Sequence, residues 1–335
     1  MQYLLARYND SVDFPEKYVL IADDHTFPQK RVSLNTHLLV NTLKYSRIIG
    51  CSHGLLCLYG GYQEGHDGPL SGSGRAVIWN PCIRKTVTVD VPNVADCSIY
   101  ETVLSFGVCR KTNDSKILKI THINRWGHRK SLTCIPCHVE VFTLSTRAWR
   151  HLYGSNPPRN SIEFDYYNMV VLDGMINWLA IDRITVDGGL QSYNLIISFD
   201  MTSEEFREVN LPDSLAHQSL CDLSICKLRE SLVVLERDVE ANNLVFHVWI
   251  MEDVVPKSFT KLYAIDLPDA DVSAVYVMGF RKTGEPIIDS ASRYPEWTGS
   301  LAVYQPYSKT ISSLGIDGDD FSYFVYSYME TLLLL

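Results

Sequence analysis

Cys134-Ile135-Pro136-Cys137 followed by His138 comes nearest in this sequence to a metal-binding arrangement. Tetrahedral zinc needs four ligands held together, and this stretch has the spacing of half a site. Cys221 and Cys226 fall in a separate repeat, so the cysteines read as small apolar strand residues. A redox pair would want a helix N-terminus to lower a thiol pKa, and none is suggested. The glycine-rich stretch Gly60 to Gly74 contains no Gly-Lys-Ser/Thr and joins no strand to a helix, so a surface loop is expected there and not a phosphate cradle. Asp317, Asp319 and Asp320 around Gly318 lack the spacing and closing Glu of a calcium loop and read as a solvated turn. There is no Gly-x-Ser-x-Gly elbow, and of the ten His residues His122 and His247 sit in strand-like runs that suit structural roles. The sequence therefore assigns no catalytic residue, no metal and no cofactor.

What must position the remaining side chains is a repeated hairpin. Runs rich in Val, Ile, Leu, Tyr and Phe, bounded by turn residues, recur from end to end without a helical stripe. First hairpins are expected at Arg47–Cys51 with Leu55–Leu58, Ser105–Cys109 with Lys116–Ile120, Met169–Leu172 with Met175–Ala180, Leu223–Leu228 with Ser231–Leu235, Ala274–Phe280 with Glu285–Asp289, and Phe324–Tyr328 with Thr331–Leu335. Asp173-Gly174 supplies the positive φ angles that a two-residue hairpin turn needs. The second strands begin 61, 59, 56, 54 and 46 residues apart, close to the kelch period. A second hairpin follows each of the first five, as in Ile78-Trp79 through Asn80-Pro81 to Thr86–Val89. The fold expected is all-β: a closed, kelch-like β-propeller of about six four-stranded blades, with strands near Tyr18–Ala22 and Lys30–Leu34 completing the last blade. Trp79, Trp149, Trp178 and Trp249 recur at matching blade positions and are read as core anchors.

The bulk composition fits one folded domain over residues 1–335, with 46% hydrophobic and 21% charged residues. No apolar run approaches the length of a membrane span, and the N-terminus lacks a secretory pattern. Nine scattered cysteines fit a reducing compartment, so the sequons at Asn9 and Asn113 are expected to go unglycosylated. A net charge of −9 disfavours nucleic acid and anionic membrane and suits a basic partner.

Seven stretches in order resemble the F-box-associated region of plant F-box proteins, the group that includes the S-locus F-box proteins. They are Gly50–Leu58; Trp79-Asn80-Pro81 with Arg84-Lys85; Phe106-Gly107; Val139–Leu144 with Trp149-Arg150; Gly174 with Trp178-Leu179-Ala180; Ser198-Phe199-Asp200 with Phe206; and Val248–Met251 with Thr260-Lys261-Leu262. His53 departs from the Asn or Asp usual in the family, and Glu252–Lys257 lacks the usual glycine. Members normally carry an F-box that docks on a Skp-type adaptor, and Met1–Asp13 is too short to hold one, so the F-box is expected to be absent and adaptor binding to require one upstream. The resemblance implies a cytoplasmic or nuclear, non-enzymatic protein-interaction domain, the target-recognition part of an SCF-type ubiquitin ligase. The alternatives are a kelch-like enzyme of the galactose-oxidase kind and a decoy that binds targets without directing ubiquitination.

Loop lengths suggest where a target docks. First-to-second and third-to-fourth strand turns are short, whereas Gly60–Gly74, Arg125–Pro136, Asp182–Asn194, Arg237–Asn243 and Ala291–Ser300 are long and emerge on one rim with the links between blades. Interface anchors are commonly Trp, Tyr and Arg, which singles out Tyr62, Trp126, Arg129, Arg293, Tyr294 and Trp297.

Overall fold

The computed structural model describes all residues except 11–12, 62–73, 93–99, 124–136, 154–155, 187–188, 241–242, 253–256, 268–274, 293–297, 320–321 and 335. In chain order the strands are β1 (Gln2–Asp10), β2 (Asp13–Ala22), β3 (Arg31–Ser33), β4 (Lys44–Ser52), β5 (Leu55–Gly61), β6 (Gly74–Asn80), β7 (Lys85–Val91), β8 (Tyr100–Val108), β9 (Ser115–Ile123), β10 (His138–Thr143), β11 (Ala148–His151) and β12 (Ile162–Leu172). They continue with β13 (Met175–Val186), β14 (Gly189–Asp200), β15 (Phe206–Asn210), β16 (Leu223–Leu228), β17 (Ser231–Glu240), β18 (Asn243–Glu252), β19 (Ser258–Leu267), β20 (Val275–Phe280), β21 (Pro286–Ser292), β22 (Thr298–Gln305), β23 (Thr310–Asp319) and β24 (Phe324–Met329). They form six four-stranded antiparallel sheets, the blades of a six-bladed β-propeller.

Burial explains why the middle strands read as continuous apolar runs. Leu55 to Leu58 of β5 and Leu232 to Val234 of β17 are wholly buried, because both faces of an interior strand are covered. Outer strands such as β7 and β23 bury alternate residues near one end and leave the rest in water. Trp79 and Trp178 are core anchors as expected, whereas Trp149 and Trp249 are only half-buried. The latter two lie on third- and fourth-strand surfaces, where each indole N–H finds an acceptor: Asp90 O at 3.0 Å and Glu236 Oε2 at 2.9 Å. Asp173 and Gly174 adopt φ of 52° and 71°, the left-handed turn anticipated, and His53-Gly54 adopts the same pair of angles near 50° and 74°.

The residues group into two compact units. One consists of Met1–Thr36, Cys221–Val254 and Phe259–Thr331, and carries the sheets β24-β1-β2-β3, β16–β19 and β20–β23. Within it Leu4, Ala6, Ile21, Ile287, Leu301 and Ile316 form one core layer, and Val233, Leu235, Val248, Ile288 and Tyr304 belong to another. The other unit, His37–Leu220 with Val255–Ser258 and Leu332–Leu335, carries β4–β7, β8–β11 and β12–β15. Its cores run through Leu55, Ile78, Phe106 and Ile117, and through Leu118, Val141, Trp178 and Ile197.

Three sequence expectations need correction. Of the expected strand Thr331–Leu335, the described residues 331–334 form none; the blade is closed by β24 alone from the C-terminus and by three N-terminal strands, β1 pairing with β24 from Gln2↔Met329 to Arg7↔Phe324. Asp182–Asn194 and Arg237–Asn243 are not long loops, because β13 and β14 pair out to Val186↔Gly189 and β17 and β18 to Glu240↔Asn243. Asp317 and Asp319 are not in a turn but on β23, paired with Ser300 and Thr298, while Asp320 lies outside the described residues.

Candidate protein-binding site

Strand direction sorts the connections of the second unit onto two ends. At one end lie the short turns after β4, β6, β8, β10, β12 and β14; at the other β8 and β12 begin and β5 and β9 end. Arg47 enters β4 at that second end and pairs across the sheet with Tyr59 of β5. The guanidinium carbon sits 5.8 Å from the Tyr59 ring centre and 5.3 Å from that of Tyr166 on β12, so one cation is held over two aromatic faces. The Tyr59 ring lies over Gly74, where a Cβ would fall 1.9 Å from its hydroxyl oxygen, so this place requires glycine.

Tyr166 and Tyr167 are presented by a break in β12. Register shifts between Phe164 and Met169, and Asp165 turns the chain there: its Oδ1 accepts from the N–H of Tyr167 at 3.0 Å and of Asn168 at 3.3 Å, and its Oδ2 from Asn168 Nδ2 at 2.7 Å. An extra loop of this kind frees side chains from the pleat and is common beside functional sites. The two rings lie 4.2 Å apart, Tyr166 half-buried and Tyr167 73% exposed. Burial raises the Tyr166 hydroxyl well above the usual phenol range, Tyr167 and Glu101 add to this, and Arg47 opposes it. Farther along the same sheet Arg183 pairs with buried Glu163 at 3.0 Å, and Arg159 reaches Asp182 at 3.0 Å and Glu208 at 2.8 Å. The result is an aromatic cluster around one cation, with further ion pairs on the same sheet.

Tyr62, Trp126, Arg129, Arg293, Tyr294 and Trp297 all lie outside the described residues. Of the strands that flank them, β5, β9 and β21 end at Gly61, Ile123 and Ser292, and β22 begins at Thr298. Arg47, Tyr59, Tyr166 and Tyr167 stand in strands and not in the loops where anchors are expected from the sequence. One signal was there: Asp165 and Asn168 around two tyrosines mark a local turn inside a strand-like run. Metal-binding side chains that come together among the described residues are His138, Glu140 and His151, on β10 and β11. Cys137 stands apart from them, packed against the core, its thiol pushed up to about 12 by burial.

Residues 12–293 match the F-box associated beta propeller domain family. An F-box/LRR-repeat/kelch-repeat protein of Arabidopsis thaliana is 28% identical over 210 residues, covering 62% of this chain and 50% of its own. The Arabidopsis thaliana F-box protein CPR1 is 22% identical over 213 residues, covering 60% of this chain and 50% of its own. This chain thus spans about half the length of these relatives. Among solved structures a PL25 ulvan lyase superposes over 97% of this chain and 72% of its own with a TM-score of 0.44 and 11% identity, a likeness too low to bear on function.

Proposed function

Because the chain belongs to the F-box associated beta propeller domain family, we propose that it is the target-recognition part of an SCF-type ubiquitin ligase receptor, and that the platform of Arg47, Tyr59, Tyr166 and Tyr167 contacts the target protein. The observation that carries this is Tyr167, 73% exposed yet with its ring tilted against that of Tyr166 at 4.2 Å, the Arg47 guanidinium lying 5.3 Å from the Tyr166 ring centre. Tyr and Arg are the side chains that most often anchor interfaces, and a pre-ordered pair loses little entropy on binding. The F-box names of the relatives support this reading, in which an F-box contacts the adaptor, the propeller contacts the target, and the setting is cytoplasmic or nuclear.

The test substitutes Ala at Tyr166 and Tyr167 together, with exposed Arg147 in the opposite β10–β11 turn changed to Ala as the control. Both variants are checked for an unaltered melt and used to co-precipitate proteins from plant extract. Proteins enriched by the parent and the control, lost with the tyrosine pair, and shorter-lived when an F-box is joined ahead of Met1 would bear out the proposal. An enriched set indifferent to both tyrosines overturns the platform; unchanged lifetime of the captured protein overturns the ligase setting.

A further inference from the structure

We propose that His138, Glu140 and His151 bind one divalent transition-metal ion of the zinc class on the outer strands of the third blade. Two residues apart on β10, His138 and Glu140 present the same face, and the strand register sets His151 of β11 directly opposite Glu140. His138 Nδ1 lies 3.9 Å from Glu140 Oε2, and His151 Nδ1 lies 3.7 Å from Oε1. The two imidazole centres are 4.5 Å apart, and all three ligand atoms fall within 4.8 Å of one another. Bonds of about 2.0–2.2 Å to zinc require ligand atoms roughly 3.3–3.5 Å apart in a tetrahedron, so modest rotations of two exposed imidazoles close the site. Two imidazoles and a carboxylate suit zinc, copper, nickel or iron(II), and three protein ligands leave an open position.

The carboxylate is already oriented. Lys119, opposite Glu140 on β9, places its buried ammonium 2.5 Å from Oε2, donates to Pro92 O at 2.7 Å and lies 5.9 Å from the Trp149 ring centre. Ligating carboxylates are commonly fixed by such a partner, and here Oε1 remains toward His151. Lys119 also neutralises part of the carboxylate charge, which makes the site weaker than a structural zinc site. The neighbouring Cys137 faces the core side of β10 and takes no part.

The full chain, with any affinity tag removed and stripped by chelator, is titrated with Zn²⁺ by calorimetry and with Co²⁺ by visible absorption. One saturable site per chain is expected, with His138→Ala and His151→Ala each weakening it on the order of 10-fold or more and dimming the cobalt band, while Cys137→Ser leaves both unchanged. Glu140 is left intact because Lys119 would lose its counterion. Absence of saturation up to about 100 μM, affinity indifferent to both histidines, or affinity lost with Cys137→Ser would each overturn the assignment.

Discussion

Arg281 binds together two stretches of chain far apart in sequence. Its Nε lies 3.1 Å from Asp23 Oδ1, its Nη1 3.2 Å from Glu285, and its guanidinium 3.8 Å above the Phe27 ring. Asp23 is 1% exposed and otherwise takes the Lys282 N–H at 2.8 Å. Arg281→Met would leave a buried carboxylate short of its cation, and such deletions cost about 3–5 kcal/mol. That is a large part of a typical stability, so the denaturation midpoint should fall markedly; a change within about 0.5 kcal/mol would mean the pair is not a clamp. Glu204 has the opposite visibility, because it responds to pH. Burial pushes its carboxyl up, but bonds from Arg150 and from Lys116 at 2.7 Å prevail and hold it below the ordinary range. A lowered folded-state pKa gives stability that is present above the unfolded carboxylate pKa and disappears as pH falls through the folded one. Glu204→Gln should therefore destabilise at neutral pH and converge with the parent in acid, as read from melts across pH. Parallel pH profiles would refute it.

At the scale of elements, the sequence made interior strands and tight turns easy to read and strand partnership hard. Leu55–Leu58 and Asp173-Gly174 announce themselves, since burial on both faces and positive φ each demand particular residues. Thr331–Leu335 misled because an apolar run looks alike whether it pairs or merely packs. It packs: Leu333 O accepts from Asn80 Nδ2 at 2.7 Å, and Leu333 and Leu334 lie against the core of Phe106 and Leu104. The strand that takes its expected place, β1, buries Tyr3 to Arg7 without alternation and so carried no strand period to notice. The platform was illegible for a different reason, since Arg47, Tyr59 and Tyr166 meet only when β4, β5 and β12 come together. Gly50 reflects another such meeting of separate strands, β4 and β8, because a Cβ there would lie 2.4 Å from the Phe106 carbonyl oxygen. Removing residues 1–10 should be costly, as both β24 and β2 lose their ladder to β1. The expected result is a broadened, earlier thermal transition by circular dichroism. A sharp melt at the parent's temperature would show that β1 does not close the blade.

At the scale of the whole molecule, 39 acidic against 30 basic residues leave a net charge of −9. A field of that sign cannot decide which contacts form, but it raises the encounter rate of a basic partner and lowers that of an acidic one. The platform proposed for target binding consists of aromatic rings around one cation, and contacts of that short range are hardly touched by salt. Steering and holding are therefore separable in a kinetic experiment on the captured target. Raising ionic strength from 0.1 to 1 M shortens the screening length from about 10 to about 3 Å. Association with the proposed basic target should slow strongly over that range while dissociation changes little. Tyr166→Ala with Tyr167→Ala should do the reverse, speeding dissociation and sparing the salt dependence of association. An association rate that is flat or rises with salt would exclude steering of a basic partner, and a dissociation rate untouched by the tyrosine pair would move the holding contacts off the platform.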